Sequence, residues 1–311
     1  MTSTITDWGF MSQPLHEKAL VEGAPWRDNA FLAFWDVAQD LFGVAHFSTS
    51  PNAGGRRARL SLVRGGRAVE VIEPLEPASF RSESLEFDLE RSVITVDHSS
   101  LTARLEMAPR FVIADYSPTG LIPDLVEGAS LRHYQRFADV TGEVASADES
   151  PTPLNGTGFR DRTWGPRDES AAFSEYLGVC GALDDVGVTV MKFAPPGGPG
   201  KTHGFLLRED RSVVVHTMDL LRDGAGLISS ARLVTEDGEE LTIRMARARG
   251  GFWVPMGDGG PPPVMSAYDD ASDWFTDGGS GGGTGGGADD GSGGTGRVGA
   301  GFCEQGVLRQ L

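Results

Sequence analysis

Hydrophobic and polar residues alternate with a period of two along much of the chain. In "RRARLSLVRGGRAVEVI", Leu60 and Leu62 fall on one face, Arg59 and Ser61 fall on the other, and a Gly-Gly pair marks the turn. The segment "LEFDLERSVITVDHSSLTARLEM" repeats this pattern with polar turns between its runs. Such alternation is typical of strands with one buried face. Few windows hold the spacing of an amphipathic helix, so we predict an all-β fold.

Short strands separated by turn signals continue through both halves of the chain. The runs "NAFLAFWDV" and "LFGVAHFSTS" have the pattern of a hairpin, and a second series of strands starts near Leu131. Many short strands joined by hairpin turns favour antiparallel barrels or sandwiches over a parallel sheet. The two series also resemble each other faintly. We therefore predict two consecutive β-barrels, at residues 1–130 and 131–311.

Two glycine-rich segments look like ligand-binding loops but lack the residues that such loops need. The segment "PPGGPGKTHG" has the end of a phosphate-binding loop, yet prolines remove backbone donors and a strand follows it, so we predict a hairpin loop. The segment "GGSGGGTGGGADDGSGGTG" lacks the periodic apolar residue of calcium-binding repeats. We expect a flexible loop at residues 278–297, and no metal or organic cofactor.

Composition narrows the classes of partner. The 311 residues are 39% hydrophobic and carry a formal net charge of -17, which disfavours binding to nucleic acid or to anionic lipid. No run of about 18 apolar residues indicates a membrane span, and the N-terminal sequence lacks the pattern of a secretory signal. A cytoplasmic protein is the expectation. The two cysteines, Cys180 and Cys303, are far apart and are expected to be buried small residues.

The densest polar segment is "GTGFRDRTWGPRDES", at residues 156–170. Alternate residues of a strand share a face, so Arg160, Arg162 and Trp164 are expected on one side. Asp161, with Phe159 and Thr163, is then expected on the other. A carboxyl held inside a barrel without a partner would have a raised pKa and could donate a proton. Beside an arginine it would instead stay charged and form a structural clamp, and both interpretations remain open here.

Further polar and aromatic residues are candidates for a site. His133 and Tyr134 are neighbours on the strand "LRHYQRF", so only one of them can enter a given cavity. His46 and Asp36 lie on the first two predicted strands, and Glu304 lies on the closing strand. A structural role is the alternative for each, because polar groups in sheets usually serve packing.

Among the tryptophans, Trp164 and Trp35 are assigned to a cavity. The others are expected to fill barrel interiors, with each indole N–H finding an acceptor.

Several of these segments together resemble one known group of proteins. "HYQRFADVTGEV", then "GTGFRDRTWGPRD", and near the end "GAGFCE" are similar to the AttH and carotenoid hydratase (hydroxyneurosporene synthase) superfamily. The N-terminal "FLAFWD" region is similar to the first barrel of the same group. The resemblance covers most of the chain and implies two lipocalin-like β-barrels.

The resemblance also implies site residues. Asp161 and Trp164 match the Asp-His-x-Trp segment of the carotenoid hydratases, but Arg162 stands where those proteins have a histidine. An arginine stays protonated and cannot act as a general acid, so alkene hydration is put in doubt. His133 and Tyr134 match the superfamily's His-Tyr pair, and its end motif also carries a carboxylate where Glu304 stands.

Two functions compete for the predicted cavity. The first is a cofactor-independent enzyme, of the hydratase, isomerase or cyclase type, acting on an isoprenoid, steroid-like or polyketide compound. Its predicted catalytic residues are Asp161, Tyr134, His133 and Glu304, and its predicted substrate-binding residues are Trp164, Arg160, Arg162, Trp35, Asp36 and His46. The second is a non-catalytic carrier of a lipid or terpenoid ligand. A third possibility is an interaction protein that uses the glycine-rich segment as a tether. The sequence does not indicate an oligomeric state.

Overall fold

The computed structural model describes residues 7–147, 149–167, 175–195, 198–256, 264–276 and 296–309. Within these ranges the chain forms strands and a single short 3-10 helix, Gly9–Ser12, which confirms the all-β prediction. The strands are β1 (Trp26–Asp36), β2 (Leu41–Thr49), β3 (Arg57–Arg64), β4 (Arg67–Pro74), β5 (Leu85–Asp88), β6 (Val93–His98), β7 (Leu101–Asp115), β8 (Arg132–Ser146), β9 (Thr152–Pro166), β10 (Glu175–Leu183), β11 (Val186–Ala194), β12 (Lys201–Leu207), β13 (Ser212–Arg222), β14 (Ile228–Thr235), β15 (Glu240–Met256), β16 (Val264–Thr276) and β17 (Val298–Arg309).

The first nine strands form one antiparallel sheet in the order β4-β3-β2-β1-β9-β8-β7-β6-β5. The sheet curls until its edges approach each other, and side chains bridge the remaining gap. Glu73 on β4 accepts a hydrogen bond from the backbone N–H of Ser84, just before β5, at 2.9 Å. The first half is therefore a nearly closed barrel.

The second half is a closed barrel of eight strands, β10 to β17 in sequence order, with β17 pairing back onto β10. The segment at residues 195–204, whose end is similar to a phosphate-binding loop, follows β11 and runs into β12. These two strands pair antiparallel, as the predicted hairpin requires. Of the glycine-rich segment at 278–297, all but the last two residues lie outside the described residues.

The division between the two sheets differs from the predicted boundary at residue 130. Strands β8 and β9 both follow that position, yet β8 pairs with β7, and β9 pairs with β1. The change of sheet therefore lies between Pro166 and Glu175. The predicted boundary falls in the long link between β7 and β8. This link does not separate the two sheets, because β8 and β9, which follow it, complete the first sheet.

Both faces of the central strands are buried, and this places the site. On β1, Leu32 and Phe34 belong to the apolar cluster inside the first barrel, whereas Ala33 and Trp35 belong to a second cluster. That second cluster also contains Phe302 and other residues from the outer face of the closed barrel. Its members form an apolar layer between the two barrels, which we call the interbarrel layer.

A glycine allows the two barrels to approach closely in this layer. A Cβ atom on Gly187 of β11 would lie 2.5 Å from the ring of Phe137 and 2.9 Å from that of Phe111. These rings stand on β8 and β7 of the first barrel. Any larger residue at position 187 would push the two barrels apart.

Among the described residues, no helix has the length and apolar character needed to cross a bilayer.

Candidate functional site

A cavity of about 140 Å³ opens in the interbarrel layer, walled by both barrels. It therefore lies between the barrels and not inside either one. Its apolar wall consists of Phe31, Ile122, Leu125, Leu131, Phe159, Tyr176, Met191 and Phe193. Its polar groups include His46, His133, Gln135, Asp161, Thr163 and Glu304, with Arg27, Arg57 and Arg167. Four predicted site residues, His46, His133, Asp161 and Glu304, thus meet in one cavity.

Strand alternation decides which side chains reach the cavity. On β9, Phe159, Asp161 and Thr163 line it, while Trp164 lies in the cluster inside the first barrel. This is the division between faces that the sequence predicts. On β8, His133 lines the cavity and its neighbour Tyr134 packs inside the first barrel.

Asp161 is held by three neighbours. Its Oδ2 atom lies 3.0 Å from His133 Nε2 and accepts a hydrogen bond from Gln135 Nε2 at 3.2 Å. Its Oδ1 atom accepts a hydrogen bond from the Thr163 hydroxyl at 2.9 Å. Because that hydroxyl donates its single hydrogen to Asp161, it is left to accept from His133 Nδ1, 2.6 Å away. The imidazole is therefore fixed at both nitrogens.

The network continues into the second barrel through Gln135. Its amide oxygen accepts a hydrogen bond from the Thr189 hydroxyl on β11. Tyr116 donates its own hydroxyl hydrogen to the Thr189 carbonyl at 2.9 Å. A chain of hydrogen bonds thus joins Asp161 to both barrels and fixes the polar wall of the cavity.

The network keeps Asp161 ionised despite its surroundings. Burial alone would raise the pKa of this carboxyl, but the charge and hydrogen bonds of His133, with those from Gln135 and Thr163, lower the pKa below its usual value. The first of the two sequence interpretations, a carboxyl with a raised pKa, does not describe Asp161. It is a stabilised carboxylate whose partner is a histidine.

Glu304 on the facing wall is in the opposite state. Desolvation, followed by the negative charge of Asp161, raises the pKa of Glu304 to about 8. At neutral pH it is therefore a protonated carboxylic acid. His46 stays neutral, because burial and then the charges of Arg57 and Arg167 lower its pKa to about 3.

Inside the first barrel an arginine, a carboxylate and an indole form a structural clamp, which we call the brace, but its carboxylate is Asp28 and not the predicted Asp161. Arg162 Nη2 lies 2.8 Å from Asp28 Oδ1, with both side chains fully buried. The Arg162 guanidinium also lies 5.0 Å from the ring centre of Trp164. Arg160, equally buried, donates to the Met11 carbonyl at 2.9 Å and stacks on Trp8. These side chains lie inside the first barrel and do not line the cavity.

The remaining predicted site residues also lie away from the cavity. Tyr134 stacks on Phe10, with ring centres 5.2 Å apart. Trp35 is buried in the interbarrel layer. Asp36 accepts hydrogen bonds from the backbone N–H groups of Ala38 and Asn155, each at 3.0 Å, and so stabilises a turn.

Several residues that line the site or lie beside it escaped the sequence analysis. Gln135 lies two positions after His133, so alternation along β8 would have placed both on one face. Thr189 could not have been found, because its contact depends on how the barrels dock. Asp269 on β16 is fully buried, and among the described residues neither of its carboxylate oxygens has a hydrogen-bond partner. Burial raises the pKa of Asp269 to about 7.

Across the described ranges, no cluster of histidine, cysteine and acidic side chains has a geometry suited to a metal ion. Both cysteines are free and buried. Cys180 reaches the cavity wall, where burial raises the pKa of its thiol well above the usual value.

Comparison with solved structures shows which proteins share this architecture. CghA matches with a TM-score of 0.60 and 13% identity, over 92% of this chain and 88% of its own. A candidate AttH from Nitrosomonas europaea matches with a TM-score of 0.57 and 14% identity, over 94% and 98%. Kievitone hydratase from Nectria haematococca matches with a TM-score of 0.60 and 10% identity, over 100% and 95%. The fold is that of the AttH-like double β-barrel proteins, as the sequence resemblance predicts.

The chain belongs to the family DUF7064, described as a domain of unknown function, which matches residues 15–285. None of the curated proteins matches the chain.

Proposed function

We propose that this protein is a cofactor-independent enzyme of the hydratase, isomerase or cyclase type. The observation that carries the proposal is the pair of carboxyl groups on facing walls of one cavity. Asp161 is held as a carboxylate by His133 and its neighbours, and Glu304 is held as a carboxylic acid by burial. Titratable groups whose pKa values are pushed apart by their surroundings mark the acid and the base of an active site.

The roles follow from these states. Glu304, with a pKa of about 8, is protonated near neutral pH and close enough to its pKa to release the proton, which suits a general acid. Asp161 accepts a proton or stabilises positive charge that develops on the substrate. His133 contacts Asp161 directly and positions it. Alkene protonation, migration of a double bond and polar cyclisation are reactions that a proton donor and a facing anion promote.

The side chains that line the cavity support the proposed substrate class. The aromatic side chains of Phe31, Phe159, Tyr176 and Phe193 would order an apolar skeleton, and a few polar groups would fix its orientation. An isoprenoid, steroid-like or polyketide compound has this character. The names of two structural neighbours support the proposal, since one is a kievitone hydratase and CghA was solved with the small molecule Sch210972.

The test is a screen of purified protein against isoprenoid, steroid and polyketide compounds, with products followed by mass spectrometry. For any compound that turns over, Glu304→Gln and Asp161→Asn are each expected to lower kcat by about 100-fold or more. Glu90→Gln, at an exposed turn between β5 and β6, is the matched control. Turnover at the wild-type rate by both cavity variants, with unchanged thermal unfolding, would refute the catalytic roles.

Carriage of a lipid or terpenoid ligand is the second candidate function. It is favoured by the complete internal hydrogen bonding of Asp161, because a rigid polar wall can bind a ligand without chemistry. Native mass spectrometry of the protein purified from its host distinguishes the two. A retained and chemically unchanged ligand indicates carriage, whereas conversion of that ligand by the pure protein indicates catalysis.

A further inference from the structure

A glycine leaves a gap in the cavity wall beside Glu304. Gly178 on β10 pairs with Glu304 on β17 and with Met191 on β11, and all three line the cavity. A Cβ atom on Gly178 would lie 3.6 Å from Glu304 Cβ and 3.9 Å from both Glu304 Oε2 and Cys180 Sγ. These are ordinary van der Waals distances. A methyl group would therefore fit at this position without strain, and its absence opens the approach to the Glu304 carboxyl.

The Glu304 carboxyl is a hydrogen-bond donor that has no acceptor among the described protein groups. In the part of the chain that the structure describes, no protein group forms a hydrogen bond with this carboxyl. Burial keeps it protonated at neutral pH, as its raised pKa shows. A partly buried donor without an acceptor is costly, and a ligand acceptor in the gap would satisfy it.

We propose that the gap above Gly178 is a subsite for a carbonyl oxygen of the ligand, to which Glu304 donates a hydrogen bond. This inference rests on the proposed function and narrows the substrate class to apolar ketones or enones. A carbonyl oxygen is a pure acceptor, which matches a carboxylic acid donor. A carboxylate ligand fits less well, because the charge of Asp161 lies close enough to act on Glu304.

The neighbouring thiol does not compete for the carbonyl. Cys180 lies at the edge of the same gap, and an ionised thiol there would add to a ketone. Burial raises the pKa of Cys180 well above its usual value, so the group remains a neutral thiol with little nucleophilic character. The carbonyl is therefore bound reversibly, and the ligand body lies against the aromatic wall of Phe31 and Phe159.

The direct test uses 4-phenylbutan-2-one labelled with 13C at the carbonyl, followed by NMR titration. On binding to the wild-type protein, the carbonyl resonance is expected to move downfield, because the oxygen accepts a hydrogen bond. Gly178→Ala is expected to weaken binding about tenfold, equivalent to about 1.4 kcal/mol. Gly224→Ala is the control, since a Cβ there meets no atom within 4 Å.

Three results would overturn the proposal. They are equal affinity of wild type and Gly178→Ala, a carbonyl resonance that does not move downfield, and no binding at about 10 mM probe. Thermal unfolding of both glycine variants shows that they fold.

A pH series gives a second readout. As pH rises from about 6 to about 10, Glu304 loses its proton and ketone binding is expected to fall. The matched alcohol, 4-phenylbutan-2-ol, keeps binding because it can donate to the carboxylate. The charged or titratable groups that line the cavity with Glu304 are Asp161, His46, His133, Arg27, Arg57, Arg167, Tyr176 and Cys180, and Asp269 lies across the strand on β16. Asp269 also titrates in this range, so the same series on Asp269→Asn separates its effect.

Glu304→Leu completes the design. This variant is expected to lose both the downfield shift and the pH dependence, and an unchanged pH profile would refute the role of Glu304. All these measurements are of equilibrium binding. The binding data can therefore contradict the carbonyl subsite while turnover assays still support the acid and base roles. Equally, turnover assays can contradict those roles while the binding data support the subsite.

Discussion

Asp269 provides the most direct measure of what burial beside the interbarrel layer does to a carboxyl group, because its cross-strand neighbour Phe252 belongs to that layer. The cross-strand neighbours of Asp269 are Phe252 and Glu304, and the positive charge that acts on it is that of Arg59. The Arg59 guanidinium is already bound elsewhere, to the Glu70 carboxylate, to the Ser61 hydroxyl and to the backbone carbonyl of Trp253, the last at 2.8 Å. The carboxyl is thus buried without a strong partner, and it is expected to stay neutral in the folded protein up to about neutral pH.

The magnitude follows from the pKa in the folded and unfolded states. Burial raises the pKa of Asp269 from 3.8 to about 7, and each unit corresponds to about 1.4 kcal/mol. Between these two values the folded protein holds a proton that the unfolded chain has lost. Stability therefore falls as pH rises through this window, by at most about 4 kcal/mol, and is level above it. Asp269→Asn removes this loss, because an amide does not ionise.

The assay is urea unfolding of wild type and Asp269→Asn from about pH 4 to about pH 8, followed by circular dichroism. The free energy of unfolding of the variant is expected to exceed that of wild type increasingly with pH, approaching a difference of about 4 kcal/mol. Asp97→Asn, at an exposed position on β6, is the control and should show no such trend. A difference between Asp269→Asn and wild type that does not depend on pH would refute the reasoning, since it would mean that the Asp269 carboxyl is ionised in the folded protein and stabilised by Arg59.

Three further predictions concern the brace, the network and the contact between the barrels. Arg162→Met leaves a buried carboxylate without its guanidinium and is expected to cost about 3–5 kcal/mol in urea unfolding; a loss below about 1 kcal/mol would contradict this. Thr163→Val removes a hydrogen bond that lowers the pKa of Asp161, so NMR titration should show that pKa raised, and an unchanged value would rule the hydrogen bond out. Gly187→Val forces side chains into the Phe137 ring and should destabilise the fold by about 1–3 kcal/mol in thermal unfolding, whereas unaltered stability would show that the layer has room to adapt.

The sequence alone determined that the chain forms β-strands, and it determined which side chains of β9 lie on each face of that strand. The alternation of Phe159, Asp161 and Thr163 with Arg160 and Arg162 is a local property, because a strand turns successive side chains to opposite sides. The "RDRTWG" segment also indicated the double-barrel architecture that the structural comparisons show.

Only the tertiary structure decided where the cavity lies and what its groups do. Arg162 pairs with Asp28, which is 134 positions away in the chain, and Asp161 meets His133 through the register between β8 and β9. No local pattern specifies such pairings, since they depend on which distant strands align. The pKa of Glu304 rises because two barrels exclude water around it, and desolvation is a property of the packed assembly of strands rather than of any one of them.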